Sequence, residues 1–161
     1  MPQKITPNLW FDGQAEEAAA FYISVFKDGQ IVGKTHYPEG SMGEAGTVMT
    51  VEWELNGQRF VGINGGPMFK FDEAVSFEIE CADQEEVDYY WERLSEGGSE
   101  GPCGWVKDKF GLSWQVVPTG MLELFSDPDR SKAERAMQAM LKMGKLDIAA
   151  LREAADGVPA T

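Results

Sequence analysis

Two runs of this sequence carry polar side chains at every second position, and these residues have the types and spacing to do chemistry. In Ile5 to Phe11, Thr6, Asn8 and Trp10 alternate with Pro7, Leu9 and Phe11. In Ala74 to Cys81, Ser76, Glu78 and Glu80 alternate with Phe77, Ile79 and Cys81. A strand turns successive side chains to opposite faces, so each apolar set belongs under a helix and each polar set is expected to face a cavity. Hydroxyls and amides on such a face, joined by Asn64 and Gln115 from later runs and by the Trp10 indole, suit a small, partly planar organic ligand. Glu52, Glu78 and Glu80 are the acid–base candidates, with Glu78 assigned the catalytic role. Two carboxylates on one face repel each other, which raises one pKa and makes a general base or a cation site. Solvated at a sheet edge, they do neither.

Other reactive residues offer less. His36 is the only histidine, so one chain can assemble neither a histidine metal cluster nor a nucleophile activated by a second histidine. It precedes the Gly-rich loop Glu39 to Gly46, a setting that suits a surface strand end. Cys81 and Cys103 are too few for a disulfide framework and lack zinc-site pairing, and Cys103 has no adjacent cation to activate it. Trp10, Trp53, Trp105 and Trp114 are numerous for this length; Trp53 and Trp114 alternate with the core sets around Val51, Leu55 and Val116, so Trp10 is the pocket aromatic and the others, Trp105 included, are read as core.

The elements that must position these residues come in a repeated order. After the strand Ile5 to Phe11 and the turn Asp12-Gly13, Ala18, Phe21, Tyr22, Val25 and Phe26 recur at helical spacing up to Gly29. A strand near Gln30 to Tyr37 follows, then Thr47 to Leu55 and Gln58 to Asn64, joined by the hairpin dipeptide Asn56-Gly57. Past Gly65-Gly66-Pro67 the order restarts with Ala74 to Cys81 and a helical stripe of Val87, Tyr90, Trp91 and Leu94, stopped by Gly97-Gly98. Short β-type runs at Gly104 to Lys107 and Leu112 to Val117 complete it. Phe21-Tyr22 against Tyr90-Trp91, and Thr6 against Ser76, are each offset by about 70 residues, which points to an internal duplication of a βαβββ module. The expected class is α+β: two tandem βαβββ modules, 1–67 and 74–118, forming curved mixed sheets around a cavity in one domain, with a helical C-terminal extension over 119–161. In that extension Asp127-Pro128 reads as a helix start, Ala133, Met137, Met140 and Leu141 share a face as far as Gly144, and a second helix runs from Asp147 to Gly157 with Ile148 and Leu151 inward.

Composition narrows the partners. With 14 Lys and Arg against 27 Asp and Glu, the net charge of -13 repels phosphate backbones and anionic lipid, so nucleic acid is not an expected partner. No apolar stretch approaches the roughly 18 residues of a membrane span, and the sequence opens without a basic-then-apolar signal. A cytoplasmic location is the expectation.

The segments ITPNLWFDGQAEEAAAFY, INGGP and GWVKDKFGLSWQVVP resemble the PhnB-like branch of the vicinal oxygen chelate (glyoxalase/bleomycin resistance) superfamily, from about Ile5 to Pro118. The tail PDRSKAERAMQAMLKMGKLDIAALREA resembles the extension of many members of this branch, often labelled demethylubiquinone methyltransferase-like. The resemblance implies a homodimer and, in the superfamily's enzymes, a divalent metal held by one residue from the first and one from the last strand of each module, typically His, Glu, His and Glu. Thr6 and Ser76 stand at the two His positions, Gln115 closes the D-x-x-G-x-x-x-E pattern that starts at Asp108, and Asn64 or Gly62 takes the remaining place. Neutral donors of this kind do not offset the dehydration of a divalent cation, so neither metal nor other cofactor is expected. Methyl transfer would need a Gly-rich turn opening a helix in a parallel βαβ unit, which neither Gly65-Gly66-Pro67 nor Glu96-Gly97-Gly98-Ser99 provides. Three readings follow: a metal-independent small-molecule binder, an enzyme of the same fold using a cavity glutamate, and a structural dimer module recruiting a partner through its C-terminal helices.

Overall fold

The computed structural model describes residues 3–158, which group into two compact units, one ending at Phe71 and the other beginning at Asp72. In the first unit the order is β1 (Asn8–Phe11), α1 (Ala15–Phe26), β2 (Gly29–His36), β3 (Val48–Leu55) and β4 (Gln58–Asn64). The sheet runs β1-β4-β3-β2, with β1 parallel to β4 and the other pairs antiparallel. Parallel neighbours cannot be joined by a tight turn, so α1 crosses over one face. That face collects the core: Leu9, Phe11, Val51, Trp53, Leu55 and Phe60 lie buried with Ala15, Ala18, Tyr22 and Val25. Gly62 is needed at the crossover, because a Cβ there would come within 3.0 Å of both the Trp53 ring and Ala15. At Asn56-Gly57 both residues have positive φ, as a two-residue hairpin requires.

The second unit repeats the order with β5 (Ser76–Cys81), α2 (Gln84–Ser95), β6 (Ser99–Glu100), β7 (Trp105–Lys107) and β8 (Ser113–Pro118). Its sheet runs β5-β8-β7-β6, again with first and last strands parallel. The two-residue β6 is the third strand that periodicity did not delimit, since two residues have no period to read. Helix α2 starts at Asp83, whose carboxylate accepts from Glu86 N at 2.9 Å while Glu86 accepts from Ala82 N at 2.7 Å, a reciprocal cap. Val87, Trp91 and Leu94 bury one stripe against Val106, Trp114 and Val116.

Three helices follow: α3 (Met121–Phe125), α4 (Arg130–Met140) and α5 (Ile148–Asp156). Helix α4 differs from the sequence reading in its start and in its buried face. The N-cap of α4 is Asp129, whose carboxylate accepts from Ser131 N at 3.0 Å, while Asp127 turns the chain ahead of it by accepting from Asp129 N at 2.8 Å. The residue α4 buries is Ala136, and Met137 and Leu141 are exposed. Leu151 packs inward as expected, with Leu146 fully buried beside the turn before β7. No helix among the described residues is long and apolar enough to cross a membrane.

The turn into β8 is organised by one carboxylate. Asp108 is 2% exposed. One of its oxygens accepts from Phe110 N (2.9 Å) and Leu112 N (3.1 Å), and the other from the Trp114 indole (2.9 Å). Gly111, at φ +87°, closes the loop with its N–H on Asp108 O at 2.9 Å. Asp108→Ala is expected to cost about 3 kcal/mol, because three donors lose a charged acceptor in a buried site. Asp108→Asn should also destabilise, since its NH2 must face one of those donors; denaturant midpoints at unchanged slope would measure both losses.

The Cys81 thiol is buried, which pushes its pKa from 9.0 up to about 12, with Glu86 and Asp83 adding to the effect. A raised pKa favours the protonated, folded form below 9 and withdraws that advantage between 9 and about 12, where only the unfolded chain releases the proton. Iodoacetamide at pH 8 should therefore spare Cys81 in the folded protein and modify the half-exposed Cys103, as peptide mass mapping would show.

Candidate functional site

Because α1 and α2 each cover one face of a sheet, the residues on the opposite, open faces are the candidates for chemistry. On the first sheet β1 is shorter than the alternation suggested. Asn8 turns its amide back onto Thr6 O at 3.0 Å, and Thr6 lies just ahead of the strand. Trp10 is on the open face with Ile63 as its register partner. Its indole donates to Gly66 O at 2.8 Å and packs edge-on against Phe69 at 5.0 Å, so the loop after β4 covers it. Gly65 passes so close under that ring that a side chain there would collide with it.

Asn64 pairs with Phe11 and shares its helix-covered side. Its Oδ1 accepts from Ala15 N at 2.9 Å, its Nδ2 donates to Val48 O at 3.1 Å, and its carbonyl accepts from the Tyr37 hydroxyl. The open-face positions of β4 are instead Arg59, Val61 and Ile63, one residue out of phase with Gly62 and Asn64. Glu52 is also on this face, half-buried and ion-paired with Arg59. A polar cleft of about 430 Å³ lies at the start of α1, walled by Asp12, Glu16, Tyr37, Thr47 and Asn64, and Glu16 is ion-paired with Lys34. His36 is exposed on β2.

On the second sheet the predicted residues do meet. The Gln115 amide donates to the Ser76 hydroxyl at 2.9 Å across the parallel β5–β8 pair. Glu78 is the register partner of Gln115 and is exposed, as is Glu80. On the other side of Gln115 its partner is Trp105. A cavity of about 370 Å³ opens there, lined by Trp105, Lys107, Ser113, Glu73, Ser99 and the turn Gly101-Pro102. Lys107 forms an ion pair with Glu73, and that hydrogen bond holds the Glu73 carboxyl below its ordinary range. Trp105, expected in the core, is half-buried on the cavity wall instead, and alternation did not single out Lys107 or Ser113, because three-residue β7 is too short to show a period and Ser113 sits where the Asp108 turn enters β8.

The donor set decides the fit of the superfamily's metal within each module. In the second, a hydroxyl and an amide already bonded to each other stand with one exposed carboxylate, Glu78; in the first, Thr6 and the apolar Val61 and Ile63 stand with Glu52 already paired to Arg59. A single carboxylate among neutral or apolar groups does not replace the water of a divalent cation, so these residues do not fit it. Among the described residues, no three His, Cys, Asp or Glu side chains are grouped to hold one. The start of α1 offers no free cradle for a nucleotide phosphate: it opens from Asp12-Gly13-Gln14, and its first amide is taken by Asn64.

Residues 3–117 match the family described as 3-demethylubiquinone-9 3-methyltransferase. A PhnB protein from Bacillus cereus is similar at 36% identity and TM-score 0.64, over 73% of this chain and 100% of that one. A protein from Pseudomonas aeruginosa (20% identity, 73% and 98% covered, TM-score 0.59) shares the fold. So does the fosfomycin resistance protein FosX from Listeria monocytogenes (13%, 73% and 93%, TM-score 0.52). No curated protein matches. The duplicated βαβββ sheets, the match over 3–117 and the identity to the PhnB protein together show that this chain belongs to the PhnB-like 3-demethylubiquinone-9 3-methyltransferase family of the vicinal oxygen chelate superfamily.

Proposed function

We propose that this protein binds a small organic molecule on the open face of its second sheet, without the superfamily's metal. The observation that carries this reading is the neutral hydrogen bond from Gln115 to Ser76, beside the Trp105-lined cavity. A hydroxyl and an amide can trade their mutual bond for bonds to a ligand carbonyl or hydroxyl at little net cost, because bonds of like strength are exchanged. The indole supplies apolar area and a flat wall, and about 370 Å³ admits a compact ligand with a single ring. Two free cysteines accord with a reducing, cytoplasmic setting, and family resemblance supports assembly as a homodimer.

A second reading, an enzyme of the same superfamily with Glu78 as base, draws on the register that puts this carboxylate beside Gln115. In that case pH-dependent turnover is lost in Glu78→Gln while the fold is kept. Full activity in that variant removes Glu78 from any mechanism.

Binding is tested by titrating a library of small carbonyl and hydroxyl compounds, with intrinsic tryptophan fluorescence as the signal and the protein treated with chelator. Saturable binding is expected to survive chelation. Affinity should fall about ten-fold in Gln115→Ala, the loss of one net hydrogen bond, and more in Trp105→Ala. No saturable binding, or binding indifferent to both substitutions, would sink the proposal.

A further inference from the structure

The family match ends at residue 117, and the Bacillus cereus PhnB protein is covered in full by 73% of this chain, so the helical extension is additional to the matched modules. Its helices α4 and α5 are joined by a segment that reaches the turn 101–105, the turn that walls the cavity with Gly101, Pro102 and Trp105. Cys103 N donates to Met143 O and Gly104 N to Gly144 O, each at 2.8 Å. Both turn residues are left-handed, Cys103 at φ +57° and Gly104 at φ +82°. A side chain resists that conformation, so at Cys103 it persists where surrounding contacts impose it. Gly104 has no room for a side chain either: a Cβ would come to 2.9 Å from Val116 O and 3.0 Å from Leu146 Cδ1.

The segment is itself held by the start of α2, through Gln84 and Asp88. Gln84 Nε2 donates to Leu146 O at 3.0 Å, and its Oε1 accepts from Ile148 N at 2.9 Å. Lys145 adds an ion pair with Asp88 at 2.7 Å, and Leu146 is fully buried. The chain of contacts runs from Gln84, through 143–148, to Cys103 and Gly104, and so to Trp105, whose own N–H is fixed on Pro102 O at 3.0 Å.

We infer that the C-terminal extension is a brace for the cavity wall and that Gln84 is its positioning residue, setting where the Trp105 indole stands. The inference rests on reading that cavity as the ligand site. It makes the extension a determinant of ligand fit supplied from outside the two modules.

The test uses the full chain with Gln84→Met, which keeps side-chain length and removes both hydrogen bonds to the segment together with the one Gln84 Nε2 donates to Asp88 at 3.0 Å, and Lys145→Ala as a milder second variant. Amide hydrogen exchange is followed at Cys103, Gly104 and Val87, and Trp105 is followed by fluorine NMR of 5-fluorotryptophan protein. In Gln84→Met, exchange at Cys103 and Gly104 should accelerate about ten-fold while Val87 in α2 stays protected, and the Trp105 resonance should shift or broaden. Lys145→Ala should move the same signals less. Equal acceleration at all three amides would mean global destabilisation and would overturn the brace, as would an unmoved Trp105 resonance in both variants. Neither readout needs a ligand, so failure of the brace is separable from failure of the library titration to find one.

Discussion

The parallel pairing of first and last strands in each module is the constraint on which everything else depends. It forces a helical crossover, and the crossover covers one face of each four-stranded sheet. Once that face is apolar, strict alternation assigns every other residue to the open face, so core and candidate site are two readings of one periodicity. Trp53 and Trp114 are core for the same reason that Trp10 and Gln115 are not.

Much of this was legible in the sequence because long runs have periods. Helices α1, α2 and α5, the hairpin at Asn56-Gly57 and the two core sets of β1 and β5 follow from spacing and turn chemistry alone, whereas five-residue α3 went unread and α4 starts later than expected and buries Ala136 rather than Met137 and Leu141. The contact of Ser76 with Gln115 was legible as a shared face, although not as a bond. What could not be read was short or non-local. Two-residue β6 went unread, and three-residue β7, although placed at Gly104 to Lys107, is too short for alternation to tell which face Trp105 and Lys107 take. Helices α4 and α5 of the extension were expected, but not their attachment through Gln84, because bonds that span 62 and 64 residues leave no local mark.

Asn64 was placed at a ligand position by family register; in the structure it does a helix cap's work from across the fold, at the edge of the cleft by α1. Helix α2 carries its own cap in Asp83 and Glu86, whereas α1 begins at Gln14, whose side chain caps nothing, and takes its first partner from the end of β4. A helix start must satisfy its free amides by some route, local or distant. Where the local cap is missing, a polar residue at the helix-side end of a neighbouring strand is more economically explained by capping than by catalysis.

The two open faces have diverged in the same spirit. On the first sheet, β4 presents Val61 and Ile63 with an Arg59–Glu52 pair; on the second, β8 presents Ser113 and Gln115 beside Ser76 and Glu78. An ion pair already formed has little to gain from a neutral ligand, because any new bond must replace a charged one. A hydroxyl–amide pair is a weaker commitment, exchangeable for ligand bonds of similar strength. The second face has an ion pair of its own, Lys107 with Glu73, but it also carries the exchangeable Ser76–Gln115 pair, and the extension is anchored to the module that bears it.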